Sequence, residues 1–155
     1  MTTAEVILRF EEVTQLDPGV QWDWVELVWL YRSAGRFGDA KDAARHAAET
    51  AKTEWDQSVA SYELGNVQVA EGNSAGALAS YRKVLSLAES WAARDPNNAE
   101  WQRDLIVSLV KTGTVKANKA YFKRALDIAA SLLKSGKLGP ADAWMIDTLK
   151  QVASQ

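Results

Sequence analysis

An all-α protein of about eight helices, folded back on one another as antiparallel hairpins, is what this sequence predicts, and three observations predict it. Alanine recurs along the chain while strand-like alternation of apolar and polar residues is nearly absent. Two prolines follow aspartate, at Asp17-Pro18 and Asp95-Pro96, and proline bars a helix interior both to itself and, largely, to the residue before it. Gly35, Gly38, Gly72, Gly76, Gly136 and Gly139 punctuate what remains, so that short connections join rods of similar length. Rods so joined must run antiparallel to their neighbours.

Taken in order, the first helix covers about 3–16 and stops at Asp17-Pro18. The second, about 21–34, ends at Ala34-Gly35, and the third runs from about 38 to 52. The fourth starts near Glu54 and stops at Glu71-Gly72. Asn73 or Ser74 caps the fifth, which extends to about 94, because their side-chain oxygens accept bonds from the unpaired amides of a first turn. Asn98 is placed to cap the sixth, which contains Trp101 and reaches about Lys116. The seventh covers about 118–135. Pro140 suits the first turn of an eighth ending near Ala153, since its missing amide proton would be unpaired there anyway.

Composition bounds the function. The 155 residues are 47% hydrophobic and 25% charged, which supports a continuous core and excludes disorder. The absence of cysteine removes disulfides, thiolate metal sites and a cysteine nucleophile, and fits a cytoplasmic location. Glu5 and Arg9 interrupt the only short apolar run near the start, so no secretory leader is expected, nor any membrane span of roughly 20 residues. The formal net charge of −2 is unevenly spread: residues 1–100 hold nine Lys/Arg against sixteen Asp/Glu, residues 101–155 nine against four. Such a gradient steers charged partners or favours head-to-tail stacking of copies; two differently solvated surfaces account for it equally well.

The hairpins repeat. Trp24-x2-Leu27-Val28-x2-Tyr31 followed by Gly35, Ala40, Ala44 and Ala47 matches Ser61-x2-Leu64-Gly65-x2-Gln68 followed by Gly72, Ala77, Tyr81 and Val84, displaced by 37 residues throughout. This spacing resembles the tetratricopeptide repeat. Large side chains on one helix meet small ones on the next, so the two approach closely and the large ones wedge between. Val6-x3-Phe10-x2-Val13-x4-Pro18 matches the second half of such a repeat, making 1–18 a second helix without its first. The resemblance implies a right-handed superhelical stack of antiparallel helix pairs in a single domain over 1–155. Its parts would be the orphan helix, repeats at 21–54 and 58–94, a degenerate shortened repeat at 98–135 and a capping helix at 140–153. In the shortened copy Thr112-Gly113-Thr114-Val115 aligns with Leu64-Gly65-Asn66-Val67, and Phe122-x2-Ala125-Leu126 with Tyr81-x2-Val84-Leu85. Gly65 to Tyr81 is 16 residues but Gly113 to Phe122 only 9, so seven are missing. Either the hairpin is very tight around 114–118, or the two helices fuse into one long bent helix. The segment Trp91 to Leu105 also resembles extended repeats of bacterial tetratricopeptide regions, which implies a bacterial source and a place beside signalling or effector domains.

Catalytic machinery is not legible. His46 is the only histidine, so neither a triad nor a multi-histidine metal site is available. Gly35-Arg36-Phe37-Gly38 and Gly136-Lys137-Leu138-Gly139 are turns between helices rather than phosphate-cradling loops. The acidic pairs Glu11-Glu12 and Asp39-x2-Asp42 have commonplace helical spacings. No enzyme activity, cofactor or metal is expected, and the resemblance implies binding of a protein or peptide. In the family one side of the first helices lines a concave groove. Trp22, Val25, Trp29 and Arg32 occupy that side of the second helix, and Val59, Tyr62, Asn66 and Val69 that side of the fourth. Aromatics with an arginine have the composition of a binding hot spot, although Trp22 and Trp29 packed against the orphan helix is an equal alternative. Some family members clamp a terminal carboxylate with Lys and Asn; Asn66 matches one such position, but Val25 and Trp29 replace its companions. Lys111, Lys116, Lys119, Lys123 and Arg124 form a basic set that reads as a solvated face or a site for an acidic protein partner. The acidic whole and thin aromatic interleaving argue against nucleic acid. Self-association into a homodimer through the unpaired first helix, and a regulatory domain in a bacterial signalling protein, are the other readings.

Overall fold

The computed structural model describes residues 2–139 and 142–154. Among these there are eight helices and no strand: α1 Thr3–Leu16, α2 Gln21–Ser33, α3 Phe37–Glu49, α4 Glu54–Ala70, α5 Ser74–Arg94, α6 Ala99–Lys116, α7 Lys119–Lys134 and α8 Ala143–Ser154. The expected place of Pro140 in the first turn of the last helix lies outside the described residues.

Local chemistry starts and stops these helices. Thr2 and Thr53 form capping boxes with Glu5 and Asp56, and Asn98 accepts from the amides of Glu100 and Trp101. Asn73 accepts from the Gly76 amide at 2.9 Å. Three helices close in the same way: Gly35, Gly72 and Gly136 adopt φ of 72°, 83° and 69°. The amide after each then reaches back five residues, from Arg36 to Tyr31, Asn73 to Gln68 and Lys137 to Leu132. Glycine takes this left-handed position without the Cβ penalty.

The shortened pair at α6 and α7 is a tight hairpin, not a fused helix. Ala117 adopts φ 49° in the left-handed region, and Asn118 caps α7 by accepting from the Ala120 amide at 2.9 Å. The amide of Asn118 reaches back to the Gly113 carbonyl, so Ala117 fills the place glycine holds at the other three closures. The missing seven residues have a geometric reading. One turn removed from each of two antiparallel arms deletes about 7.2 residues and returns every side chain to its original face. Accordingly a Cβ on Gly65 would lie 2.5 Å from the Tyr81 ring, and one on Gly113 would lie 2.8 Å from Tyr121 Cβ and 3.3 Å from Phe122 Cζ. The same small-against-large contact survives in both hairpins.

The chain forms two compact units, Met1–Lys83 and Val84–Gln155, with the boundary inside α5. In the first, α2 packs on α1, α3 and α4. Its core joins Ile7, Leu27, Val28, Tyr31, Ala40, Ala43, Ala44 and Val67, with Val25, Ala47 and Ala60 beside it. In the second, α7 packs on α6 and α8 around Leu105, Ile106, Leu109, Ala125, Ala129, Leu132, Ile146 and Leu149. The Val6, Phe10 and Val13 stripe that matches the second half of a repeat is not wholly turned inward in α1. Ile7 and Thr14 are buried and Val13 is exposed, because Glu11, on the same stripe as Ile7 and Thr14, accepts from the Tyr31 hydroxyl at 2.6 Å. Arg36 lies 4.4 Å over the Tyr31 ring and 3.6 Å from Glu11, holding that stripe inward.

Candidate partner-binding surface

In the first unit α2 and α4 lie side by side and run the same way. Gln21 Nε2 donates to the Asp56 carbonyl at 2.7 Å near both starts. The rings of Trp22 and Trp55 stand 5.8 Å apart at 44°, and further along Arg32 pairs with Glu63 at 3.6 Å. Trp22 and Trp55 are 33 residues apart, whereas the sequence copies are displaced by 37. Neighbouring first helices are therefore slipped by about one turn relative to the repeat alignment. That slip brings in Trp55, which is not among the residues the repeat alignment places on this face. The available signal was its place four residues before Val59, on the same face of α4.

The predicted groove residues fall into three groups. Trp22, Trp29 and Val69 are 45%, 37% and 49% exposed, as is Trp55 at 49%. Val59, Tyr62, Asn66 and Arg32 are half-buried on the same side. Val25 is 0% exposed: it packs with Ala47 and Ala60 inside the unit and lines no surface. A cleft of about 260 Å³ opens beside Trp22, lined by Gly19, Val20, Thr50, Lys52 and Asp56.

A polar chain runs beneath this face. Arg32 holds the buried Glu63, the Asn66 amide donates to Glu63 at 3.3 Å, and the Tyr81 hydroxyl donates to Asn66 at 2.8 Å. Burial, with Tyr62 and Glu63 nearby, pushes the Tyr81 phenol up to about 12, so it stays a neutral donor. Asn66 is thus held by core neighbours rather than offered to a partner's carboxylate. Glu26 lies on the exposed side of α2, between Trp22 and Trp29 in the helical stripe, and is half-buried.

The basic set is divided by its surroundings. Lys116, Lys119 and Lys123 are exposed around the α6–α7 turn, with the Lys116 ammonium 5.5 Å from the Tyr121 ring centroid. Arg124 is committed to Glu89 of α5, and Lys111 is half-buried. His46 stacks on Trp24 at 4.4 Å with Nδ1 3.2 Å from Glu49. Among the described residues no group of three or more His, Cys, Asp or Glu could hold a metal ion, and no helix is long and apolar enough to cross a membrane.

Residues 59–90, from α4 into α5, match the family model of the tetratricopeptide repeat. This repeat is an interaction scaffold, and its match covers the Gly65–Tyr81 contact that sets the spacing of the two helices. No curated protein matches the chain.

Proposed function

We propose that this chain, which carries a tetratricopeptide repeat at residues 59–90, is a protein-interaction module whose α2/α4 face holds a segment of a partner protein. One observation carries the reading: three tryptophans and a valine, Trp22, Trp29, Trp55 and Val69, remain solvent-exposed on one side of two adjacent helices. Apolar surface removed from water contributes about 25 cal/mol per Å². Aromatic side chains deliver that area with few rotors to freeze, which is why they dominate binding hot spots. The aromatics sit on helices whose opposite sides are locked into the core, so the face is preformed and loses little entropy on binding.

The test is selection of a random phage-displayed peptide library on the intact protein. Trp22→Ala/Trp29→Ala protein should keep its circular dichroism spectrum and lose at least about tenfold in affinity for the enriched peptides. Enriched peptides that bind both proteins equally would place the site elsewhere. Loss of helix in the variant would make these tryptophans part of the core and remove the reading.

A further inference from the structure

The α2/α4 face carries its anchors at a fixed interval. Trp22 stands beside Trp55; seven residues further along the same helices stand Trp29 and Tyr62, and seven beyond Tyr62 stands Val69. Seven residues of α-helix rise about 10.5 Å. A partner segment must present side chains in step with that interval. An extended strand brings its third residue to roughly 10 Å, but on the opposite side. A polyproline II segment repeats at about 9.3 Å and falls about 2.4 Å short after two intervals. A helix laid along the seam stays in step, because its own positions i and i+7 have the same spacing.

The second constraint is electrostatic. Glu26 sits within the aromatic stripe, half-buried, and makes no ion pair or side-chain hydrogen bond among the described residues. A docked apolar surface would strip its remaining water, which is costly for a carboxylate unless a cation replaces the solvent. The first unit as a whole holds eight Lys/Arg against thirteen Asp/Glu, so its field draws in basic segments.

We infer that the occupant of this face is a cationic amphipathic helix of a partner protein, with large apolar side chains at i and i+7 and a lysine or arginine at i+3 or i+4 to meet Glu26. The inference rests on the α2/α4 face being a binding surface, and adds what binds there.

Three fluorescein-labelled synthetic peptides of about 16 residues test it against the full chain by anisotropy. The first has an alanine-rich helical background, leucines seven apart and lysine four residues after each of the first two. The second carries a central proline, and the third has glutamate in place of those lysines. The first should bind, and raised salt should weaken it. The proline peptide should bind at least about tenfold more weakly. The glutamate peptide, and the first peptide on Glu26→Gln protein, should each lose about fivefold. Equal binding of the proline peptide overturns the helix while leaving the surface intact. An unchanged affinity on Glu26→Gln protein overturns the cation. Failure of the first peptide, where library-selected peptides bind, sinks the inference alone. Binding of the first peptide that survives Trp22→Ala/Trp29→Ala sinks the inference and the surface together.

Discussion

A methyl group built on Gly65 would stand 2.5 Å from Tyr81 Cε1 and 2.7 Å from Cδ1, well inside contact distance. Tyr81 cannot swing away: it is 2% exposed and its hydroxyl is tied to Asn66 at 2.8 Å. Two effects oppose each other in Gly65→Ala. Helix propensity favours alanine by about 1 kcal/mol. Overpacking costs about 1–3 kcal/mol and here also strains the Asn66 bond. The steric term wins, and the variant should be about 2 kcal/mol less stable in urea unfolding; an unchanged midpoint would mean the helices part without resistance. The small residue that makes α4 and α5 a close pair is thus also the one whose enlargement the pair resists most.

The α6–α7 pair shows how a hairpin can be cut without losing its contacts. One turn shed from each arm preserves the Gly113–Phe122 contact that parallels Gly65–Tyr81. The cut leaves Ala117 and Asn118 to reverse the chain. Ala117 carries the left-handed conformation at a cost of about 1–2 kcal/mol that glycine would not incur. Glycine also loses more backbone entropy on folding, which returns part of the gain. Ala117→Gly should therefore stabilise the protein by about 0.5 kcal/mol, read as a small rise in the urea midpoint; a fall would show that the turn gains nothing from relief of its backbone. The hairpin was legible as an interruption in the repeat. Whether it turned or ran straight was not, because neither residue of the turn is a glycine or proline.

At the scale of the molecule the chain has two compact units, each with its own buried cluster. Repeat proteins draw stability from neighbour contacts, and their parts can open separately. Leu109 is fully buried in the second unit. Leu109→Ala should cost about 3 kcal/mol, and native-state hydrogen exchange should quicken in α6–α8 well before α2 and α3. Uniform quickening would mean that the two clusters unfold as one. Charge is divided between the units as well: the first holds the acidic excess, and the exposed lysines Lys116, Lys119 and Lys123 lie in the second.

The sequence alone determined the helices, the caps at Asn73 and Asn98, and the small-against-large positions. Those depend on neighbours three or four residues away and on the bonding of terminal amides, which local order fixes. Only the tertiary structure decided how far one helix slides against the next, because a slip of one turn leaves every face of each helix unchanged. That slide seats Trp55 beside Trp22, where the repeat alignment pointed to Val59. Packing likewise sank Val25 against Ala47 and Ala60, and the Glu11–Tyr31 bond turned Val13 outward. Periodicity says which residues face together; the fit of one surface to another says what they face.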